Sequence, residues 1–183
     1  MEYEEILKIA ASYSDHRERV VEIKPALEDS LRNTSPIYPV LEIGNREGGS
    51  TLLIMWHLYI EARGRHMITV DINKEASLIT EWKQRLRINV QHFSMRQRDF
   101  VEGPQAFWAF VYLDADHEEP SCVEDLRRFS NHMVPNGIVA VDDVQEWKNL
   151  PIIEGMMRIT YPIDQGLPVG ASHGQHIAFW RKL

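Results

Sequence analysis

Residues 40–51 read VLEIGNREGGST, and this stretch decides the fold. Its apolar beginning, 40–43, is typical of a short buried strand that ends at Gly44. The largely apolar segment that follows, 50–62, is typical of a helix, which Gly64 ends. The stretch therefore predicts a strand, a glycine-rich turn and a helix.

The same alternation of strand and helix continues along the chain. Further strands are predicted at 67–70, 92–98, 109–113 and 138–141. The helices between them are indicated by two apolar stripes, Leu78, Trp82 and Leu86 in one and Val123, Leu126, Phe129 and Met133 in the other. Strands that are apolar on both faces and alternate with helices form a parallel sheet covered on both sides. The fold class is therefore α/β, doubly wound and mostly parallel.

The two ends of the chain depart from this rhythm. The spacing of apolar side chains near the N-terminus predicts helices with a break near Pro25. At the other end, 159–163 and 177–181 look like strands, and the short connection between them predicts an antiparallel hairpin. We expect one domain over 1–183. Its parts are a helical N-terminal cap (1–36), a ligand-binding core (37–144) and a C-terminal helix and β-hairpin (145–183).

The composition excludes several classes of protein. The chain is 44% hydrophobic and 26% charged, which is typical of a globular protein, and its net charge of −7 disfavours a nucleic-acid partner. Cys122 is the only cysteine, so neither an intrachain disulfide nor a cysteine zinc site is available. The N-terminal MEYEE lacks the layout of a secretory signal, and the longest apolar run is about half of what a bilayer needs. We expect a cytoplasmic protein without a membrane partner.

An acidic residue closes each of the five predicted parallel strands. In doubly wound sheets, ligands bind beyond the carboxyl ends of the strands, so these side chains are expected along one rim. They are Glu42, Asp71, Asp99, Asp114 and the pair Asp142 and Asp143. Each one alone is equally explained as a helix cap or a turn residue. Taken together, they favour a ligand site.

The first turn lacks both the G-x-G-x-x-G spacing of a dinucleotide site and the Lys-[Ser/Thr] ending of a P-loop. It matches E-x-G-x-x-x-G-x-S from Glu42 to Ser50, which resembles the first motif of class I S-adenosylmethionine methyltransferases. Glycines there let the backbone approach a ligand, and the helix start offers free N–H groups to a carboxylate. The alternative is a tight strand-to-helix turn with no ligand.

Three later segments make the resemblance more specific. They are FVYLDADH at 110–117, EDL at 124–126 and VPNGIVAVDDV at 134–144. Over about 40–144 the chain resembles the methyltransferase 24-like family, which is similar to catechol O-methyltransferase and to antibiotic-pathway sugar O-methyltransferases. The resemblance implies a Rossmann-like, seven-stranded sheet. Two departures are Arg46, where the general motif has a glycine, and Asn136, where Pro-Gly-Gly is usual.

The same resemblance implies which residues hold the cofactor. Asp71 would accept hydrogen bonds from the ribose hydroxyls, Asp99 would accept one from the adenine amino group, and Phe100 would contact the ring. The full set of expected S-adenosylmethionine contacts is Glu42, Gly44, Asn45, Gly48, Ser50, Asp71, Ile72, Asp99, Phe100, Asp114 and His117.

A metal and a base complete the expected site. In metal-dependent relatives the positions of Asp114, Asp142 and Asp143 hold Mg²⁺, which would bind a substrate hydroxyl and lower its pKa. Alternatively, the aspartate pair caps a helix and Asp114 only contacts the cofactor. His117 is the candidate general base, a structural histidine being the alternative. Asp114 and His117 are thus the expected catalytic residues.

The sequence therefore predicts S-adenosylmethionine-dependent, Mg²⁺-assisted methylation of a hydroxyl on a small molecule. The segment Asn/Asp-Pro-Pro-[Tyr/Phe] of DNA and protein amide methyltransferases is missing after the fourth strand, where 114–117 read DADH. Two alternatives stay open, a non-catalytic module that binds S-adenosylmethionine or a nucleotide and a metal-dependent hydrolase. Trp147 is a candidate substrate contact, and a homo-oligomer is compatible with the sequence.

Overall fold

The computed structural model describes residues 2–13, 17–62, 64–100, 107–115, 119–144, 147, 150–161 and 177–183. The helices are α1 (Tyr3–Ser12), α2 (Arg17–Asn33), α3 (Gly49–Glu61), α4 (Ser77–Leu86) and α5 (Glu119–Ser130). The strands are β1 (Val40–Ile43), β2 (Met67–Asp71), β3 (Val90–Ser94), β4 (Trp108–Leu113), β5 (Met133–Val141), β6 (Met156–Ile159) and β7 (Ala178–Lys182).

The strands form one seven-stranded sheet in the order β3-β2-β1-β4-β5-β7-β6. Every pair among the first five strands is parallel, whereas β7 runs antiparallel to both β5 and β6. The predicted doubly wound sheet with a C-terminal antiparallel hairpin is confirmed. The strand order reverses between β1 and β4, and such a switch point is where ligands bind in open α/β sheets.

Helices on both faces bury the central strands completely, which is why these strands show no polar alternation. All four residues of β1 and all six of β4 are buried. Successive side chains point to opposite faces of a strand. Val40 accordingly packs in a cluster with α1 to α4, and Leu41 in a cluster with α5. Two apolar layers therefore hold the sheet between them.

The third strand and the fifth strand differ from their predicted bounds. β3 ends at Ser94 instead of reaching 98, because it lies at the sheet edge with mixed polar and apolar side chains. A 3₁₀ turn, Gln97–Asp99, follows it. Met133, the last member of the second predicted helical stripe, begins β5 instead. Residues 135–137, which precede the predicted strand at 138–141, also lie inside β5, where Asn136 has φ +64° and the pairing with β4 shifts register.

The break predicted near Pro25 is wrong, because α2 continues through this residue. Proline removes one backbone donor from a helix. Burial of the neighbouring Ile23, Ala26 and Leu27 side chains offsets that loss. Packing therefore decides the continuity of this helix.

The hairpin begins earlier than predicted. Met156 pairs with Lys182 and Ile159 with Phe179, so the first strand starts three residues before 159. Residue 147 and residues 150–155 contain no helix, and the rest of the expected C-terminal helix falls outside the described residues. Among the helices of the described ranges, none has the length and apolar character to cross a membrane.

Candidate functional site

The turn between β1 and α3 packs against the end of β4. Gly44 and Gly48 have φ values of +84° and +91°, which glycine adopts without strain. The Gly44 N–H donates to the Val70 carbonyl at 2.8 Å. A Cβ on Gly44 would lie 2.3 Å from the carbonyl oxygen of Asp114. Only glycine therefore lets the ends of β1, β2 and β4 meet this closely.

Glu42 stabilises the same turn through hydrogen bonds to the start of α3. It is fully buried and accepts hydrogen bonds from Ser50 Oγ at 2.6 Å and from Thr51 Oγ1 at 2.5 Å. Burial raises the pKa of Glu42 to about 7. Both carboxylate oxygens are thus engaged with the first turn of α3. The cofactor contacts expected of Glu42 and Ser50 stay predictions.

Asp71 at the end of β2 organises two segments at once. Its Oδ2 accepts from the backbone N–H groups of Asn45 at 2.9 Å and Arg46 at 3.0 Å, and its Oδ1 accepts from the Asn73 N–H at 2.8 Å. Burial acts to raise the pKa of Asp71, but the N–H donors of Asn73, Asn45 and Arg46 outweigh it and hold the pKa below its ordinary value. The carboxylate is therefore ionised at neutral pH. A ribose hydroxyl would donate to the same carboxylate as these N–H groups.

A cavity of about 500 Å³ opens at the switch point of the sheet. Four of the predicted cofactor residues line it, namely Gly44, Asp71, Ile72 and Asp114. Ligand sites for small molecules commonly span about 300–1,000 Å³. The cavity is thus large enough for a nucleoside-sized ligand, and it lies where the strand-end acids predict it.

Asp99 and Phe100 are not among the residues that line this cavity. The Asp99 side chain is 61% exposed and lies beside Arg98, whereas Phe100 is buried with its ring 5.6 Å from that of Phe93. Residues 101–106 next to them lie outside the described ranges. The adenine contacts expected of Asp99 and Phe100 stay predictions.

The three aspartates expected to bind a metal occupy different surroundings. Asp114 lines the cavity, whereas Asp142 is buried. Asp142 Oδ2 accepts from the Tyr112 hydroxyl at 3.0 Å, and its Oδ1 accepts from the Asp143 N–H at 2.8 Å. Burial, followed by the charges of Asp114 and Asp142, raises the pKa of Tyr112 well above its ordinary value. Within the described ranges, the three carboxylates do not gather into one compact ligand set.

His117, the candidate base, and its neighbour Asp116 lie outside the described residues. Trp147 is described and buried, and its indole Nε1 has no hydrogen-bond partner among the described residues. Its role as a substrate contact stays a prediction.

Comparison with known proteins decides the family. Residues 41–144, more than half of the chain, match the model of the methyltransferase 24 family, described as "Methyltransferase domain". The chain belongs to this family of class I S-adenosylmethionine-dependent methyltransferases. No curated protein matches the sequence significantly.

Solved structures share the fold of this methyltransferase at low sequence identity. Cofactor-bound Rv0187 from MTB is 16% identical with a TM-score of 0.59, and the match covers 96% of this chain and 87% of that one. CalS11, a TDP-rhamnose 3'-O-methyltransferase, is also 16% identical with a TM-score of 0.58, covering 92% and 81%. An rRNA methylase from Streptococcus thermophilus is 13% identical with a TM-score of 0.60, covering 88% and 96%. At these identities the matches establish the fold alone.

The cavity of the methyltransferase also contains residues that the sequence analysis missed. Met95, Arg96 and Gln97 line it because β3 ends at Ser94, and Arg98 and Arg46 add further positive charge. The residues directly after β3 are Met95 and Arg96, because the strand ends at Ser94 and not at 98. The end of β3 is therefore the signal that points to them.

His92 is a second missed residue of the methyltransferase. Its Nε2 lies 3.0 Å from the Asn73 carbonyl oxygen, and its Nδ1 lies 2.9 Å from Thr69 Oγ1. A proton on Nε2 lets the ring donate to Asn73 and accept from Thr69. His92 thus supports the segment that donates to Asp71. No local motif signals this role, because the partners come from a neighbouring strand.

Proposed function

We propose that this methyltransferase transfers the methyl group of S-adenosylmethionine to a hydroxyl oxygen of a small molecule. The observation that carries the proposal is the cavity at the switch point, with Gly44, Asp71 and Asp114 on its wall. Methyl transfer is an in-line displacement in which positioning of the two reactants supplies much of the rate enhancement. A rigid cofactor cradle beside an acidic strand end suits that task.

The cofactor cradle follows from the first turn. Gly44 brings the first turn to the cavity wall, and the start of α3 offers N–H groups to the methionine carboxylate. The ionised Asp71 is the acceptor for a ribose hydroxyl. Gly48, Asn45 and Ile72 complete the proposed contacts on this side.

A hydroxyl acceptor is favoured over other acceptors by two features. The segment DADH at 114–117 resembles that of the O-methyltransferases of the family, and CalS11, of similar fold, is a TDP-rhamnose 3'-O-methyltransferase. The net charge of −7 disfavours RNA, although a neighbour of similar fold is an rRNA methylase. The structural matches also include an N-methyltransferase, NodS from Bradyrhizobium japonicum WM9, so an amine is the alternative acceptor for the test.

Magnesium assistance is a separate part of the proposal. Asp114, Asp142 and Asp143 are the residues that would hold the ion, since Mg²⁺ takes oxygen ligands and keeps several waters. When bound, it would lower the pKa of the acceptor hydroxyl. Because Asp142 is engaged with Tyr112 and the Asp143 N–H, metal binding requires its carboxylate to turn from these partners or to share them. His117 is proposed as the base that takes the hydroxyl proton.

Calorimetric titration with S-adenosylhomocysteine, with and without MgCl₂, tests the cofactor and the metal. We expect micromolar binding that Asp71→Asn weakens at least tenfold, with Glu81→Gln, an exposed acid elsewhere, as the matched control. Asp142→Asn should abolish any effect of Mg²⁺ and leave cofactor binding intact. Absence of binding at millimolar cofactor would refute the proposal.

Methyl transfer from radiolabelled S-adenosylmethionine to hydroxylated and amine-bearing acceptors tests the reaction. Product on hydroxyl acceptors alone supports O-methylation, and product on amines alone overturns it. Cofactor binding without product on either panel favours the non-catalytic module. Turnover of an ester or phosphoester without the cofactor favours the hydrolase. A cytoplasmic location and a homo-oligomeric state stay predictions.

A further inference from the structure

A second cluster of polar side chains lies between α2 and α3, and it shares no residue with the cofactor cavity. His57 and Glu61 are one helical turn apart on α3, so they share a face, and Glu28 of α2 lies opposite them. His57 Nδ1 is 3.7 Å from Glu28 Oε1 and 3.8 Å from Glu61 Oε1. Among the residues that the structure describes, these form the one group of three whose ligand atoms lie within 4.8 Å of one another.

The histidine of this cluster is buried without a hydrogen bond to any residue that the structure describes. His57 is 1% exposed, and neither of its ring nitrogens has a hydrogen-bond partner in the described part of the chain. A buried polar group left unsatisfied destabilises a protein, and such groups are rare in folded proteins. The Tyr3 ring of α1 covers the imidazole at a centroid distance of 5.7 Å. The position therefore suits a ligand that the described residues do not provide.

The contacts of His57 with the two carboxylates are too long for hydrogen bonds. Its Nδ1 lies 3.7 Å from Glu28 Oε1 and 3.8 Å from Glu61 Oε1. A ring nitrogen of imidazole is a common ligand for metal cations. These distances therefore leave room for an ion between the three side chains.

Arg32 contacts the two carboxylates from the solvent side. Its guanidinium lies 3.4 Å from Glu28 Oε2, and it lies 3.3 Å from Glu61 Oε2 and 3.4 Å from Glu61 Oε1. The Arg32 side chain is 65% exposed, so it can swing into water at little cost. Lys24 is a second cation beside Glu28, at 3.9 Å. These cations balance the carboxylates when no metal is bound.

We propose that Glu28, His57 and Glu61 form a structural site for a divalent transition metal of the zinc class. An imidazole nitrogen favours zinc and its neighbours over Mg²⁺ and Ca²⁺, which prefer oxygen alone. Zinc bonds of about 2.0–2.2 Å place tetrahedral ligands about 3.3–3.5 Å apart, so each carboxylate needs to approach His57 Nδ1 by only a few tenths of an ångström from its present 3.7 or 3.8 Å. The Glu61 side chain is 18% exposed, which leaves a side open for water as a fourth ligand.

A bound metal would cross-link α2 and α3 and would so stabilise the packing of these helices on the sheet. It would lie apart from the cofactor cavity, because neither Glu28, His57 nor Glu61 lines that cavity. The expected role is therefore stability and not chemistry. This inference is independent of the proposed methyl transfer.

Metal-stripped full-length protein titrated with Zn²⁺ against a chromophoric chelator tests the site. We expect one Zn²⁺ ion to bind tightly to each chain and to raise its Tm. When Co²⁺ replaces Zn²⁺, we expect visible absorption with the high intensity that is typical of tetrahedral Co²⁺. His57→Phe and Glu61→Gln should each weaken Zn²⁺ binding at least tenfold. His66→Ala and Asp142→Asn should leave this binding unchanged, which separates the site from the proposed magnesium ligands.

Zinc binding that survives both His57→Phe and Glu61→Gln would overturn the proposal, as would no binding at micromolar Zn²⁺. Glu61 lies at the helix end near the surface, so Glu61→Gln keeps the test decisive if the buried His57 variant fails to fold.

Discussion

Gly44 and Asp114 lie so close that a Cβ on the glycine would be 2.3 Å from the aspartate carbonyl oxygen. These residues follow the adjacent parallel strands β1 and β4, and the Asp114 N–H donates to the Ile43 carbonyl at 2.8 Å. The two strand ends therefore form one continuous wall of the cavity. Any side chain at Gly44 has to push the backbone of that wall apart.

Gly44→Ala should destabilise the protein more than an equivalent change elsewhere. The positive φ costs about 1–2 kcal/mol for a residue with a Cβ, and the backbone clash adds about 1–3 kcal/mol. Gly64→Ala is the matched control, because Gly64 has φ +94° and nothing within 4 Å of the added Cβ. Urea unfolding measures both. Equal losses of unfolding free energy in the two variants would show that the backbone near Asp114 accommodates the added Cβ without destabilising the protein.

Asp71→Asn should lower stability as well as cofactor affinity. The amide cannot accept hydrogen bonds on both terminal atoms, so at least one of the N–H groups of Asn45, Arg46 and Asn73 loses its partner. We expect a loss of about 1–3 kcal/mol in the free energy of unfolding at pH 7. Urea titration of wild type and variant checks this, and an unchanged midpoint would contradict it.

The pH dependence of the same variant has a defined sign. The folded-state pKa of Asp71 lies below the unfolded value of about 3.9. Its stabilisation is therefore fully present above about pH 3.9 and is lost as the pH falls through the folded-state pKa. The difference in unfolding free energy between wild type and Asp71→Asn should thus shrink only in strong acid. A difference that shrinks already between pH 7 and 5 would contradict this.

Glu42→Gln should remove a pH dependence of the opposite sign. The folded-state pKa of about 7 lies above the unfolded value of about 4.3, because burial favours the neutral carboxyl. Wild-type stability from this group is present below about pH 4.3 and is lost as the pH rises through about 7. Between pH 5 and 8 the wild type should therefore lose stability relative to the variant, on the order of 2–3 kcal/mol at most. Thermal unfolding across this range measures it, and parallel curves would exclude the effect.

Arg65→Met should loosen the C-terminal end of α2. The Arg65 side chain is 2% exposed and donates to the Thr34 carbonyl at 2.9 Å and to Thr34 Oγ1 at 3.0 Å. Hydrogen bonds to charged groups contribute about 1.5–3 kcal/mol, so we expect a loss of at least that size. Arg85→Met, at an exposed arginine that contacts Glu81 and the Trp82 ring, should cost less than Arg65→Met, about 1 kcal/mol or less. Chemical denaturation of both variants checks the contrast, and similar small effects would contradict it.

The alternation of apolar strands and helices was sufficient to predict the doubly wound sheet. Buried parallel strands such as β4 carry a continuous apolar run that local sequence displays directly. The edge strand β3 has one neighbour and a mixed surface, so its end could not be located from hydrophobicity. The adenine contacts of Asp99 and Phe100 rest on the family resemblance and stay predictions.

The sequence by itself determined the fold class, the order of the elements, the family and the rim on which Gly44, Asp71 and Asp114 lie. These properties are encoded in residue type and in spacing along the chain, which are local quantities. Only the tertiary structure decided that Asp71 accepts hydrogen bonds from the first turn, that Tyr112 donates to Asp142, and that His57 lies buried between Glu28 and Glu61. Each of these contacts depends on which distant segments pack together. Packing brings together residues that are far apart in the chain, and their spacing in the sequence does not predict the contact.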